Sequence, residues 1–160
     1  MDKKNRIIHI ICGKANSKKR NQITEIVHRL AAGQTELGYQ AEIWCITDIF
    51  TKQTKDSDAF RCLEFKLKKR GLDDKLKEAI LSEMEPVVFH LHGGFIFTYY
   101  LLSEVFELLD IPFIFTPYES YDPDGKDLKG WSKKFYFRLF EKKVIIRAGS
   151  VKLLDVCEIK

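Results

Sequence analysis

The chain has 160 residues, a length typical of one domain, and 45% of them are hydrophobic and 31% charged. This globular composition excludes fibrous and intrinsically disordered classes. A net charge of +4 does not by itself indicate nucleic-acid binding, and we expect no nucleic-acid partner. The four cysteines have no CxxC spacing, which argues against a zinc site and a disulfide framework. No apolar run is long enough for a signal peptide or a membrane span, so we expect a cytoplasmic protein.

The first half of the chain alternates strand-like apolar runs with helical periodicity. Short apolar runs predict strands, and apolar residues spaced three or four apart predict helices, with Gly38 at an expected helix stop. The predicted order is a strand at 6–12, a helix at 22–37, a strand at 40–46, a surface loop at 47–60 and a short strand at 62–65.

The second half of the chain continues the alternation. The predicted order is a helix at 72–84, a strand at 87–92, a helix at 97–109, a strand at 112–116, a loop at 118–129, a helix at 130–147 and a strand at 150–154. Strands separated by helices predict an α/β fold with a mainly parallel sheet, that is, a Rossmann-like three-layer domain. No repeat or linker interrupts the chain, so we expect one domain over residues 1–160.

The segment VVFHLHGGF, residues 87–95, is the first candidate site. Ligands of open α/β sheets bind outside the carboxyl ends of the strands, where Gly93 and Gly94 are expected. Strand residues two apart face the same side, so His90 and His92 should project together and hydrogen-bond a ligand hydroxyl or phosphate. The alternative is that they are core histidines with internal partners. A metal needs more ligands than these two, so we expect neither a metal nor a cofactor.

The loop after the first strand is the second candidate site. Gly13 and Lys14 precede the first predicted helix, and Gln22 lies at its start, where helix amides often hold phosphate. The loop contains neither GxGxxG nor GxxxxGK[ST], so no nucleotide fingerprint is present. A solvated basic loop is the alternative.

The loop TPYESYDPDG, residues 116–125, should lie on the same edge of the sheet. Glu119 is a candidate base or a ligand for sugar hydroxyls, and Tyr118 and Tyr121, with Ser120 between them, are placed to contact a sugar ring. The alternative is an ordinary turn, because Asp-Pro-Asp-Gly is strong turn chemistry on its own.

The predicted helix 130–147 is basic and aromatic. Residues 126–147 hold eight basic residues against two acidic ones. Such a helix can lie on an anionic bilayer, which would put the protein at the inner face of the membrane, although a solvated helix face is the commoner outcome. The periodicity predicts a core face made of Phe135, Leu139, Val144 and Ile145.

Several segments in this order resemble the N-terminal domain of family 4 glycosyltransferases with the GT-B fold, of the bacterial polysaccharide and lipopolysaccharide type. The segments are IIHIICGK, RNQITEIVHRLAAGQTELGYQAEIWCIT, VVFHLHGGFI, IPFIFTPYESYDP and KKFYFRLFEKKVIIRAGSVKLL. The resemblance implies retaining transfer of a hexosyl group from a nucleotide-sugar donor to a lipid-linked or saccharide acceptor, usually without metal.

In that family two Rossmann-like domains face each other across a cleft. The N-terminal domain holds the acceptor, and the C-terminal domain binds the nucleotide sugar. The resemblance therefore implies an acceptor-side domain that engages the donor only with a C-terminal domain or a partner chain, and we expect no transferase activity from this chain alone. Alternatives are a non-catalytic remnant and an interaction subunit of a split transferase.

Carried over residue by residue, the match is partial. His92, Gly93 and Gly94 match, whereas Gln22 stands where the family commonly has glycine, and TPYE replaces the family's TPHG. The candidate catalytic residues are His92, which matches the family pattern, and Glu119, which is proposed from the chemistry of its loop and stands where the family has glycine. The candidate substrate-binding residues are Gly13, Lys14, Gln22, Gly93, Gly94, Tyr118, Ser120 and Tyr121.

Overall fold

Six parallel strands form one sheet in the order β3-β2-β1-β4-β5-β6. The structure, a computed structural model, describes residues 5–13, 18–50, 60–83, 86–118 and 131–152. The strands are β1 Arg6–Cys12, β2 Gln40–Thr47, β3 Arg61–Lys66, β4 Val87–His92, β5 Phe113–Thr116 and β6 Ser150–Val151. The helices are α1 Lys18–Glu36, α2 Asp74–Leu81, α3 Phe97–Leu108, α4 Trp131–Tyr136 and α5 Lys142–Arg147, with a π-helical turn, Phe137–Glu141, joining α4 to α5.

The predicted α/β fold with parallel strands, Rossmann-like in its strand order, is confirmed. The chain builds outward from β1 to β3 and then returns to place β4 on the other side of β1. This reversal creates a topological switch point between β1 and β4, the place where open α/β sheets bind ligands. The parallel register sets His9 opposite His90 and Ile11 opposite His92 across this point.

Two apolar layers cover the sheet. On one face, α2, α3 and α5 pack against a core that includes the buried rings of Trp44, Phe89, Phe106, Phe113 and Phe115. On the other face, α1 packs its buried residues Ile23, Val27 and Ala31 onto β1 and β2. These three residues are four apart along the helix, so they share one face of α1. Strand alternation places His9, His90 and His92 on this α1 side of the sheet.

The final helical segment, residues 131–147, differs from its predicted packing. Val144 is buried as expected, but Phe135 is 57% and Leu139 38% exposed, so the predicted core face was wrong for these two residues. The π-helical turn takes up an extra residue and changes the helical register between α4 and α5. Glu141, the last residue of this turn, is buried. Within the described parts of the chain, no helix is both long enough and apolar enough to cross a bilayer.

Candidate functional site

Three buried histidines meet at the switch point. His9 comes from the middle of β1, and His90 and His92 come from the end of β4. The ring centroids of His90 and His92 are 3.9 Å apart, and that of His9 lies 5.4 and 5.1 Å from them. The prediction that His90 and His92 project to the same side is confirmed. His9 joins them because the parallel register sets it level with His90.

Burial keeps all three imidazoles neutral. Removal from water lowers the pKa of His90 to about 3, with the neighbouring His9 acting in the same direction. Burial also holds the pKa of His92 well below its usual value, and it lowers the pKa of His9 despite an opposing hydrogen bond to Gln34. A neutral imidazole has one donor nitrogen and one acceptor nitrogen, so each ring has a direction.

A chain of hydrogen bonds links four side chains. The Tyr118 hydroxyl lies 2.8 Å from Nδ1 of His92, and Nε2 of His92 lies 2.9 Å from Nδ1 of His9. Nε2 of His9 lies 2.7 Å from Oε1 of Gln34 on α1. Burial raises the pKa of Tyr118 to about 12, so its hydroxyl remains protonated at neutral pH. These hydrogen bonds therefore extend from the carboxyl edge of the sheet to the side of α1.

His90 has a different partner. Its Nε2 lies 2.8 Å from the hydroxyl oxygen of Thr116, the last residue of β5. The backbone N–H of Gly93 donates to the carbonyl oxygen of the same threonine at 2.8 Å. These two bonds tie the loop after β4 to the end of β5, so the two edge loops have a fixed relation to each other.

The Tyr99 hydroxyl fixes the ends of β1 and β4 from the opposite side of the sheet. It accepts a hydrogen bond from the backbone N–H of Cys12 at 3.0 Å. Its own proton is directed at the carbonyl oxygens of His92 and Ile10, at 2.6 and 3.0 Å. Burial raises the pKa of Tyr99 well above its usual value, so this donor is permanent.

Both edge loops contain a side-chain-bearing residue with left-handed backbone. Phe95 has φ 59° and Tyr118 has φ 53°, next to Gly93 at φ 104°. Such conformations are costly for residues other than glycine and cluster at functional sites. The Phe95 N–H donates to Oε1 of Glu141 at 2.9 Å, so the buried carboxyl group of the π-helical turn holds this loop in place.

The three histidines are also a candidate set of metal ligands because of their closeness. One ring nitrogen from each lies within 4.8 Å of the others. Two nitrogens bound to one tetrahedral zinc ion lie roughly 3.4 Å apart, given zinc–nitrogen bonds of about 2.1 Å. Nδ1 of His9 and Nε2 of His92 are 2.9 Å apart, which is a hydrogen-bonding distance. The arrangement therefore fits a hydrogen-bonded cluster, and metal ligation would require this bond to break.

The other predicted site residues are distributed as follows. Gly13 follows β1, and its N–H donates to the carbonyl oxygen of Ile46 at 3.1 Å. Gln22 is exposed on α1, which begins at Lys18, so the prediction that Gln22 lies at the helix start was wrong. Gly93 is buried and Gly94 half-buried beside the histidines. The remaining four, Lys14, Glu119, Ser120 and Tyr121, lie outside the described residues.

His9, Gln34 and Glu141 are contributors that the sequence analysis did not identify. A histidine inside the apolar run RIIHIIC was the available signal for His9. Its link to His92 depends on strand order and register, which the local sequence does not encode. Gln34 and Glu141 lie on helical segments. The spacing of residues in the sequence does not tell which face of the helix each one occupies or which strand that face packs against.

A cavity of about 530 Å³ lies on the same side of the sheet, near the amino ends of the strands. Its wall includes Gln34 and His90, together with apolar side chains of β1, β4 and β5. Arg6 forms ion pairs with Glu42 and Glu83 at this end of the sheet. The cavity is thus at the opposite end of the strands from Tyr118, and the hydrogen-bonded chain approaches it through Gln34.

Comparison of the chain with models of known protein families and with curated proteins found no match. The observations define an α/β domain with six parallel strands and a buried histidine cluster at its switch point.

Proposed function

We propose that this chain is the acceptor-side domain of a retaining glycosyltransferase that uses a nucleotide-sugar donor in bacterial polysaccharide or lipopolysaccharide biosynthesis. The observation that carries the proposal is the hydrogen-bonded pair of Tyr118 and His92 at the carboxyl edge of the sheet, beside the switch point. The HLHGG segment and the TP loop, on which the family resemblance depends, supply these two residues, and Tyr118 stands where the family commonly has a histidine.

The chemistry of the pair suits a neutral polar ligand. The imidazole of His92 is uncharged, and the phenol of Tyr118 is protonated. Neither carries the positive charge that favours phosphate. Both ring nitrogens of His92 already bond to Tyr118 and His9, so the phenol oxygen of Tyr118 is the atom of the pair that can hydrogen-bond a ligand hydroxyl. The half-buried ring of Tyr118 also offers a flat apolar surface of the kind that contacts a sugar ring. A sugar hydroxyl of the acceptor is therefore the group that this edge accommodates best.

The donor enters the proposal through a second domain, on this polypeptide or on a partner chain. The loop after β1 has no glycine-rich phosphate motif, and the exposed Gln22 stands where the related enzymes commonly have glycine. We expect the 160 residues by themselves to bind acceptor and not to turn over nucleotide sugar.

A titration followed by backbone amide NMR tests this division. The acceptor probe is a short-chain polyprenyl diphosphate carrying one glucose residue, the matched control is the same lipid without sugar, and the donor probe is UDP-glucose. We expect the amides of Gly93 and Gly94 to shift only with the sugar-bearing lipid, and Tyr118→Phe to weaken the effect. Turnover of UDP-glucose by the chain would contradict the proposal. Loss of all sugar-dependent shifts would favour a non-catalytic interaction subunit instead.

The final helical segment supports a bilayer-bound acceptor. Trp131 is 86% and Ile146 70% exposed, and Trp131 stacks on the exposed ring of Phe135. Exposed lysines flank these apolar side chains, namely Lys134, Lys142 and Lys143. Exposed aromatic and basic side chains on one helical segment match the interface of an anionic bilayer. We therefore include peripheral membrane contact through residues 131–147 in the proposal.

Tryptophan fluorescence tests this contact directly. The chain has two tryptophans, and Trp44 is only 1% exposed, so a blue shift on vesicle binding reports Trp131. We expect the shift with vesicles that contain phosphatidylglycerol, weaker binding at high salt, and no shift in Trp131→Phe measured through Trp44. Equal behaviour with neutral and anionic vesicles would contradict an electrostatic contact.

A further inference from the structure

The hydrogen-bonded chain has a single direction that Gln34 sets. Gln34 is oriented with its acceptor, Oε1, toward Nε2 of His9, and in this orientation Nε2 of His9 carries the proton. Nδ1 of a neutral His9 is then an acceptor, which requires Nε2 of His92 to donate to it. Nδ1 of His92 is left as an acceptor, and the Tyr118 hydroxyl donates to it.

We propose that Gln34 and His9 are positioning residues that fix the tautomer of His92 and thereby select the ligand group that contacts Tyr118. Because the only hydroxyl proton of Tyr118 points at His92, the lone pairs of its oxygen are what it offers to a ligand at the carboxyl edge. That oxygen accepts a hydrogen bond from a sugar hydroxyl and has no proton to donate to a phosphate oxygen. The identification of the ligand as a sugar rests on the proposed function, whereas the tautomers of His9 and His92 follow from the hydrogen bonds alone.

The buried surroundings of the two rings keep the hydrogen bonds between Tyr118 and Gln34 in this direction. His9 is completely buried and His92 is 1% exposed, so water cannot replace a lost partner. The His90 ring lies against His92 and is held in turn by Thr116. Rotation of either ring in the chain would exchange a bonded nitrogen for a carbon, which a buried polar network disfavours strongly.

Gln34 is the position at which the direction can be changed. Its side chain is half-buried and lines the cavity near the amino ends of the strands, so a charged replacement has access to solvent. Gln34→Glu presents only acceptor oxygens to His9 and preserves the direction. Gln34→Lys presents only donors and reverses it. The two variants introduce charge at the same place and differ in the sense of the hydrogen bond.

Long-range proton–nitrogen NMR of the histidine side chains at pH 7.5 reads the tautomers directly, without a ligand. We expect the Nε2–H form for His9 and His92 in the wild type and in Gln34→Glu, and the Nδ1–H form for both in Gln34→Lys. His90 bonds to Thr116 outside the chain and serves as the internal reference. Backbone amide spectra check that each variant is folded. The Nδ1–H form at His92 in the wild type, or an unchanged tautomer in folded Gln34→Lys, overturns the proposal.

A ligand titration then tests the selection at Tyr118. The probes are methyl glucoside and inorganic phosphate, measured with both Gln34 variants. We expect the preference for the glucoside over phosphate to fall roughly tenfold from Gln34→Glu to Gln34→Lys, because one oriented hydrogen bond is reversed. An equal preference in the two variants overturns the selection. If neither probe binds the wild type while its tautomers are as expected, the proposed function fails and the positioning role stands.

Discussion

The Tyr118 hydroxyl lies 2.8 Å from Nδ1 of His92, although the two residues are 26 positions apart and follow different strands. The parallel register sets His92 beside Thr116, so Tyr118 is only two residues beyond the level of its partner. The left-handed backbone of Tyr118, with φ 53°, is a costly conformation found where the chain must direct a side chain. The pair is therefore a product of strand register and of local backbone geometry together.

Removing the Tyr118 hydroxyl should lower the free energy of unfolding more than removing the hydroxyl of an exposed tyrosine. In Tyr118→Phe the ring remains, but Nδ1 of the buried His92 loses its donor. We expect the free energy of unfolding to fall by about 1–3 kcal/mol, the cost of an unsatisfied buried polar group. Tyr39→Phe, at a ring that is 39% exposed, should stay within about 0.5 kcal/mol of the wild type. Urea titration gives both values, and equal losses would contradict a buried pair.

The histidine cluster should make the fold acid-sensitive. Burial lowers the pKa of His90 from 6.5 to about 3, and the pKa values of His9 and His92 are lowered in the same direction. The unfolded chain therefore binds protons first as the pH falls. The free energy of unfolding is at its full value above pH 6.5. Below that pH it decreases by up to about 1.4 kcal/mol per pH unit for each histidine.

Urea unfolding at a series of pH values from 7.5 to 5 measures this slope. His90→Asn removes one titrating ring that lies outside the chain from Tyr118 to Gln34, so its slope should be shallower whatever its stability at pH 7.5. A wild type that becomes more stable on acidification would rule out the neutral cluster.

Two glycine substitutions should act in opposite directions. Gly93 has φ 104°, and a Cβ atom there would lie 3.2 Å from Cδ1 of Ile96, so Gly93→Ala should destabilise the fold by more than about 1 kcal/mol. Gly33 lies within α1 and has nothing within 4 Å of an added Cβ atom. Gly33→Ala should therefore raise stability by about 0.5–1 kcal/mol through helix propensity. Thermal or urea unfolding compares the pair, and a shift of the same sign in both would refute the strain argument.

Glu141 should control the loop that follows His92. Its Oε1 atom accepts from the Phe95 N–H at 2.9 Å within a π-helical turn. Glu141→Leu removes this acceptor, and we expect faster hydrogen exchange at the Phe95 amide, by a free energy of about 1–3 kcal/mol. Glu141→Gln keeps an acceptor oxygen and should remain close to the wild type. Unchanged exchange in Glu141→Leu would assign the loop geometry to other contacts.

Much of the fold was predictable from local patterns. The runs RIIHIIC and VVFHLH lie in strands that are buried on both faces of the sheet, so apart from their histidines they appear in the sequence as mainly apolar stretches, and both predicted strands match the observed ones. The final helical segment was less predictable. Its aromatic residues suit either face of a helix, and the π-helical turn shifts the register where spacing arguments assume a constant 3.6 residues per turn.

The site was predictable only in part, for a related reason. His90 and His92 are two apart on one strand, so their common side follows from strand geometry alone. His9 joins them through the pairing of β1 with β4, and Gln34 through the way in which α1 packs over that pair. The contacts of His9 and Gln34 both depend on the order of the strands in the sheet. Local sequence patterns do not reveal that order.

The hydrogen bond between His9 and His92 spans 83 positions of sequence. A contact of that separation forms only after the chain has made its long return from β3 to β4, and such returns are slow because a large loop must close before any pairing repays its entropy. The histidine cluster can therefore exist only in molecules whose two half-sheets have already joined. During refolding, the bonded tautomers of His9 and His92 would therefore appear only after β4 has paired with β1.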